Sequence, residues 1–384
     1  MRVARRVACL PPYLFAELDR KVAAKRQEGV DVISLGVGDP DLPTPRHVVE
    51  ALQEAAEDAA THQYPSYYGL PALRLAVAEW YERRFGVELD PDTEVLPLIG
   101  SKEGLAHLSF AMIDPGDAAL VPDPGYAVYS IGTALAGGTP VPVALEAGRR
   151  FIPDLEALSP PAATKVLWLN YPSNPTAAVA EPDFFDRAVD FARRHDLLLC
   201  HDAAYSEITF DGFVAPSVLQ SAGAKDVAVE FGSLSKTYNM TGWRVGFVVG
   251  NPRAIGALAT LKTNLDSGIF NALQRAAVAA LTGSQDHVEQ MRAVYQKRRD
   301  VVVSAFQEIG IPVEPPLGSI YVWVPTPDGR SGEDFASDLL DEAGVVVTPG
   351  TGFGRQGEGF VRISLTVADA RLQEAVDRIR RRLG

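Results

Sequence analysis

Six short apolar runs punctuate the middle of this chain, at residues 95–99, 118–121, 165–169, 197–200, 227–231 and 245–249. They are close to continuous rather than alternating, the pattern of strands buried on both faces. Between several of them lie stretches with helical periodicity, such as 102–113 and 182–195. This alternation predicts an α/β domain built on a mostly parallel mixed sheet flanked by helices. After residue 283 the texture changes. A long polar-faced stretch, 285–309, reads as one helix, followed by short strands at 320–324, 345–347 and 361–365 and a closing helix over 368–382. The first forty-odd residues have no sheet pattern of their own and are expected to pack with this C-terminal part. The expected division is a large domain over 45–284 and a smaller, discontinuous α+β domain over 1–44 and 285–384.

Composition narrows the function classes. Hydrophobic residues make up 47% of the 384, ample for a large core, and the net charge is -13 with both signs interspersed. Nucleic acid is therefore not an expected partner. No run of about 18 apolar residues could span a bilayer, and the apolar part after the basic start breaks at Pro11-Pro12, so the expected compartment is the cytoplasm. Cys9 and Cys200 are too few for a disulfide framework, and the six histidines form no HxxxH pair or Cys/His cluster. No metal site is expected.

In open α/β sheets, ligands sit beyond the carboxyl ends of the strands, so the residues that follow each run carry the candidate chemistry. Run 95–99 leads into Gly100-Ser101-Lys102 and a helix, where free backbone N–H groups could hold a phosphate. Run 165–169 leads into Asn170-Tyr-Pro-Ser-Asn174-Pro, a proline-stiffened turn that fixes the Asn174 amide. Run 197–200 leads into His201-Asp202-Ala-Ala-Tyr205, and an aspartate at a buried strand end is costly unless it meets a positive partner. Run 227–231 leads into Ser233-Leu-Ser235-Lys236, with Arg244 eight positions on. Burial and a nearby cation both favour a neutral Lys236 amine, which can attack an aldehyde. Each signal taken singly has a plain reading: a helix start, a Pro/Asn loop, an Asp N-cap, a solvated loop lysine. Together they supply a phosphate cradle, a fixed amide, a carboxylate and a masked amine, the set that pyridoxal phosphate requires.

At this point the sequence resembles the fold-type I pyridoxal-phosphate enzymes, and among them the class I/II aminotransferases. The matching stretches are Gly36-Val-Gly38-Asp-Pro-Asp, Tyr64-Pro-Ser-Tyr-Tyr-Gly69, Asn170 to Thr176, Asp202-Ala-Ala-Tyr205, Ser233-Leu-Ser-Lys236 with Arg244, and Val361-Arg362-Ile-Ser. The resemblance implies that Lys236 holds the cofactor as a Schiff base and shuttles a proton at the substrate. It implies that Asp202 pairs with the ring nitrogen, Asn174 and Tyr205 bond the ring oxygen, and Tyr126 covers the ring face. Ser101, Lys102, Ser233, Ser235 and Arg244 are implied as phosphate ligands, joined by Tyr64 from the second subunit of a homodimer. Arg362 is implied as the fork for the substrate α-carboxylate, a task suited to a planar guanidinium, with Gly38 bringing its backbone close. Without the resemblance, Tyr126 reads equally as a packed turn aromatic and Arg362 as a solvated strand arginine. One departure is Ala177, where these enzymes usually have glycine; alanine fits if the local φ is negative.

Four segments resemble aminotransferases acting on LL-diaminopimelate with 2-oxoglutarate: 10–17 with Tyr13, 63–74, 235–246 and 261–270. Tyr13, Ser66, Tyr67, Tyr68 and residues 264–267 are the polar candidates for lining a zwitterionic distal site, and interface packing is the competing reading. A sibling acting on aspartate, alanine or aromatic amino acids would share every catalytic residue named, and a β-elimination lyase would share Lys236 and the cofactor. A non-catalytic regulator on this fold usually carries an added DNA-binding domain, and nothing before Leu10 is expected to be one.

Overall fold

In the computed structural model, residues 1–8, 10 and 14–384 are described, so Tyr13 lies outside the described residues. A two-residue strand β1 (Ile33–Ser34) comes first. The main sheet follows, from β2 (Val95–Leu98), β3 (Ala118–Asp123), β4 (Thr139–Ala144), β5 (Thr164–Asn170), β6 (Leu198–Asp202), β7 (Ala228–Ser233) and β8 (Gly246–Gly250). Its spatial order is β2-β8-β7-β6-β5-β3-β4, parallel except that β8 runs against both neighbours. Each apolar run of the sequence became a strand. Strand β4 had no such signal: it lies at the sheet edge, mostly uncovered, with Pro140 and Pro142 in its length, positions that an edge strand tolerates.

Side chains of the central strands alternate between two cores. Leu167, Leu169 and Leu199 face one, with Phe184, Phe185 and Val189; Val166, Trp168, Leu198 and Cys200 face the other, with Leu105, Leu108 and Leu258. These layers come from helices α3 (Arg46–Glu57), α4 (Pro71–Phe85), α5 (Ser101–Met112), α6 (Val128–Ala136), α7 (Pro182–His195), α9 (Pro252–Leu265) and α10 (Asn271–Thr282), with the short α8 (Leu234–Thr237) after β7. Helices α1 (Arg5–Ala8) and α2 (Leu14–Gln27) precede them. The predicted helices 182–195 and 285–309 appear as α7 and as α11 (Asp286–Glu308).

A third core lies mostly beyond residue 283, joined by Ile33, Leu35, Ala177, Tyr205, Ile208 and Phe210. It gathers α11, α12 (Gly332–Ala343), α13 (Asp369–Leu383) and strands β9 (Tyr321–Pro325), β10 (Val345–Val346), β11 (Thr348–Pro349) and β12 (Phe360–Ser364). β1 pairs parallel with β10, so the N-terminal segment does join the C-terminal part. Arg298 reinforces this junction. Buried on α11, it donates to both Asp41 oxygens (2.7 and 2.9 Å) and to Asp369 (2.8 Å). Among the described residues no helix is long and apolar enough to cross a membrane.

A buried hydrogen-bonded pair fixes the strands that carry the site. His201 on β6 and Glu230 on β7 are register partners, and His201 Nδ1 lies 2.8 Å from Glu230 Oε2. The other ring nitrogen lies 3.0 Å from the Tyr171 carbonyl. Glu230 also accepts from Tyr81, Ser217 and the Val218 N–H at 2.8–2.9 Å. Burial pushes this carboxyl up, but the hydrogen bonds from His201, Ser217 and Val218 outweigh it and hold it below its ordinary value of 4.5. A carboxylate held low contributes stability that is present above its unfolded pKa and lost as pH falls through the folded one. Glu230→Ala would strand several buried donors at once, and in urea denaturation near neutral pH it should cost about 3–5 kcal/mol. A loss below about 1 kcal/mol would show that the network carries little of the fold.

Candidate active site

The C-terminal ends of β5, β6 and β7 open on a cavity of about 520 Å³. Its wall includes Gly38, Ser101, Lys102, Tyr126, Asn174, Asp202, Tyr205, Ser233, Ser235, Lys236, Arg244 and Arg362. The structure thus brings together the cofactor and substrate residues read from the sequence, with two exceptions. Tyr13 is outside the described residues, and Tyr64 is 89% exposed and does not line this cavity.

Lys236 sits on α8, whose first turn is capped by Ser233: its Oγ accepts from the Ser235 N–H at 3.2 Å. Lys236 Nζ donates to the Gly38 carbonyl at 2.9 Å. Burial lowers its pKa, helped by the Arg362 and Arg244 charges and opposed by Tyr321 and Asp39. The amine is therefore more readily neutral than a free lysine.

Asp202 ends β6, 5% exposed. It does not cap a helix; its oxygens accept from the Tyr129 hydroxyl (2.8 Å) and the Ala204 N–H (3.3 Å). Burial raises its pKa, and Tyr129 and then His201 oppose the rise. Among the described residues no lysine or arginine forms an ion pair with it. The next link is Asn170, whose amide donates to the Asp202 carbonyl (2.7 Å) while its oxygen accepts from the Asn174 N–H (2.8 Å). Asn174 in turn accepts from Arg362 Nη1 at 2.7 Å. The three strand-end residues are thus one connected frame.

Arg362 on β12 is no solvated strand arginine. It is 2% exposed, its guanidinium lies 4.1 Å from the Tyr321 ring centre and 4.5 Å from that of Phe353, and Nη2 donates to the Gly36 carbonyl at 2.8 Å. Such stacking suits a guanidinium and holds its plane. Tyr205 shares a 3.2 Å hydrogen bond with Tyr321, and burial raises its pKa, with Tyr321 adding to the shift. Gly38 is required here because a Cβ would stand 2.0 Å from the Tyr321 hydroxyl.

The anion end is built from the turn before α5. Gly100 has φ +75, and a Cβ there would meet Arg244 Nη2 at 2.2 Å, so only glycine admits both the turn and the arginine. Arg244 is held by donation to the Thr241 carbonyl at 2.8 Å. Helix α5 presents its N-terminal N–H groups at Ser101 and Lys102, and Lys102 lies 5.7 Å from the Tyr126 ring centre. These donors suit a phosphate.

Sequence reasoning missed Tyr129, Tyr321 and Phe353. Their roles come from partners far along the chain, and no local spacing marks them. Ala177 corrects an expectation: its φ is +57, not negative. The methyl is buried in the C-terminal core, and that packing offsets a left-handed strain of about 1 kcal/mol.

The profile of the family described as aminotransferase class I and II matches residues 30–379. A protein of Desulforudis audaxviator (strain MP104C) named LL-diaminopimelate aminotransferase is 56% identical over 385 residues, spanning 99% of this chain and 98% of that protein. One of the same name from Moorella thermoacetica (strain ATCC 39073 / JCM 9320) is 54% identical over 386 residues, 100% of this chain and 99% of that protein. The solved structure of substrate-bound BacF from Bacillus subtilis superposes with a TM-score of 0.94 at 39% identity, covering 99% and 98% of the two chains. With a family match across most of its length and relatives above half identity, the chain belongs to the class I and II aminotransferase family.

Proposed function

We propose that this aminotransferase uses pyridoxal phosphate to move an amino group between LL-diaminopimelate and 2-oxoglutarate. The observation that carries the reading is the convergence of Lys236, Asp202, Asn174, Arg244 and Arg362 on one cavity; the substrate is supported by the name its full-length relatives bear. The donor set fits the cofactor on a physical test. Among the described residues Asp202 is a buried carboxylate with no ion-paired lysine or arginine, so a protonated ring nitrogen would supply the charge its site demands. Gly100 lets the Arg244 guanidinium lie against the turn before α5, where a Cβ would meet Nη2 at 2.2 Å.

When bound, pyridoxal phosphate supplies an electron-poor ring that accepts the electron pair left at the substrate Cα. Ser101, Lys102, Ser233, Ser235 and Arg244 would hold its phosphate, Asn174 and Tyr205 would hydrogen-bond its ring oxygen, and Tyr126 would lie against the ring. Lys236 would anchor its aldehyde and, as a neutral amine, would carry a proton between the substrate Cα and the cofactor's aldehyde carbon. Its pKa, lowered by burial, suits that exchange. Arg362 grips the α-carboxylate through a guanidinium already oriented by Tyr321, Phe353, Asn174 and Gly36.

The same reading makes the enzyme a homodimer. Tyr64, Tyr67, Tyr68, Leu265 and Phe270 form an exposed apolar and aromatic group on segments that touch each other: Asn271 donates to the Gln63 carbonyl and His62 lies against Phe270. A second copy covers this face, and Tyr64 serves the phosphate of that copy's cavity. The division into 45–284 and a discontinuous partner of 1–44 with 285–384 is supported by a third core drawn mostly from the latter segments and by the β1–β10 pairing.

Arg362→Lys removes the fork but keeps the charge, and KM for every amino donor should rise about tenfold or more; an unchanged KM would remove Arg362 from carboxylate binding. Asp202→Asn separates stability from activity. A carboxyl with a raised folded pKa costs stability once pH rises past its ordinary 3.8, so at pH above that the cofactor-free variant should melt no lower than wild type. Its turnover should nevertheless fall by orders of magnitude; a lower melting temperature with activity kept would contradict both claims. In a donor panel against 2-oxoglutarate, LL-diaminopimelate should give the highest kcat/KM over aspartate, alanine and phenylalanine. Another donor winning would reassign the substrate, and pyruvate with ammonia formed without any acceptor would replace the transaminase reading by a β-elimination.

A further inference from the structure

Helix α5 carries an apparent contradiction in its first turn. Glu103 lies two residues after Ser101, at the end of the helix where an anion is to be held. Its Oε2 accepts from the Ile99 N–H at 3.1 Å and so shapes the turn through Gly100. A carboxylate there also opposes a bound phosphate, because both draw on the same positive helix end and like charges repel.

The contradiction is resolved by Lys262 on α9. This lysine is 1% exposed, and its Nζ donates to Glu103 Oε1 at 3.0 Å and to Asp266 Oδ2 at 2.9 Å. Ligand atoms of Glu103, His107 and Asp266 lie within 4.8 Å of one another, a grouping able to hold a cation, and the Lys262 ammonium is the cation that bonds two of them. Asp266 continues the chain: its Oδ1 accepts from the Gly268 N–H at 2.9 Å. Gly268, at φ +80, packs so closely on the 64–68 segment that a Cβ would lie 3.3 Å from Pro65 Cγ and the Ser66 carbonyl. One buried ammonium therefore joins the turn before α5 to the exposed segment that carries Tyr64.

We propose that Lys262 is a positioning residue for phosphate binding: it cancels the Glu103 charge, so that the carboxylate can shape the Ile99–Ser101 turn without repelling the anion held there. Through Asp266 the same lysine sets the turn at Gly268 on which the Tyr64 segment rests. The inference rests on the reading above that the cofactor phosphate binds at Ser101, Lys102 and Arg244. It predicts that charge, more than bulk, is what the site needs at this position.

The test measures binding of inorganic phosphate and of pyridoxal phosphate to the full-length cofactor-free protein by calorimetry, with melting temperature recorded beside it. Lys262→Met should weaken both ligands on the order of tenfold, since it exposes the cradle to an uncompensated carboxylate. The double variant Glu103→Gln/Lys262→Met, with neither charge, should recover to within about threefold of wild type. Glu103→Gln alone keeps an acceptor for Ile99 and leaves the ammonium in place, so it should tighten phosphate binding; this variant stands in if Lys262→Met does not fold. Wild-type binding by Lys262→Met, a double variant as weak as the single, or weaker binding by Glu103→Gln would each overturn the proposal. Arg244→Ala separates the two readings. If it too binds phosphate like wild type, the cradle is misassigned; if it loses binding while Lys262→Met does not, only the role of Lys262 fails.

Discussion

The constraint on which this structure turns is a carboxylate buried at the end of a parallel strand. Asp202 reaches that place because β6 lies in the middle of the sheet, covered on both faces, and its side chain emerges where the strand stops. Tyr129 and the Ala204 N–H satisfy its oxygens but bring no charge. Desolvation of an ionised carboxylate is far more costly than two neutral hydrogen bonds return. The cation proposed to meet this carboxylate is the ring nitrogen of the cofactor. Much of the surrounding structure serves to hold that situation in place. The His201–Glu230 pair pins β6 to β7, and Asn170 ties the Asp202 backbone to the Asn174 turn.

The rest of the cavity has the opposite bias. Lys102, Lys236, Arg244 and Arg362 line it against the carboxylates Asp39 and Asp202, a local excess of positive charge in a chain of net charge -13. A phosphate at one end and a carboxylate substrate at the other match that distribution. The two anion sites are made differently. The one at α5 uses backbone N–H groups and a glycine turn, while the one at Arg362 uses a guanidinium clamped between rings and hydrogen-bonded at two nitrogens. The second is built from the C-terminal core, so the proposed substrate contact lies on the element that packs against β1 and α11, and the proposed phosphate contact lies on the sheet.

The parts of this arrangement that could be read from the sequence are those written in local pattern. Continuous apolar runs gave the central strands, and helical periodicity gave α7 with its ends in place, because burial on both faces leaves a compositional trace. The strand-end survey found Asn174, Asp202 and Lys236 because polar residues directly after buried runs are conspicuous. Strand β4 escaped, being exposed and interrupted by Pro140 and Pro142. Tyr129, Tyr321 and Phe353 escaped for a different reason: each is an ordinary aromatic in its own segment and acquires its role from a residue 73, 41 or 9 positions away or more. Ala177 shows the limit of reasoning from residue type, since its left-handed backbone is set by the turn around it and stabilised by core packing.

The central claim is that the Asp202 site is completed by a protonated ring nitrogen. NMR of the protein loaded with pyridoxal phosphate carrying an isotopically labelled ring nitrogen reads that proton directly. A protonated nitrogen is expected in the wild-type protein at pH values where the free cofactor has lost this proton, and an unprotonated one in Asp202→Asn. A wild-type ring nitrogen that is unprotonated at neutral pH would contradict it.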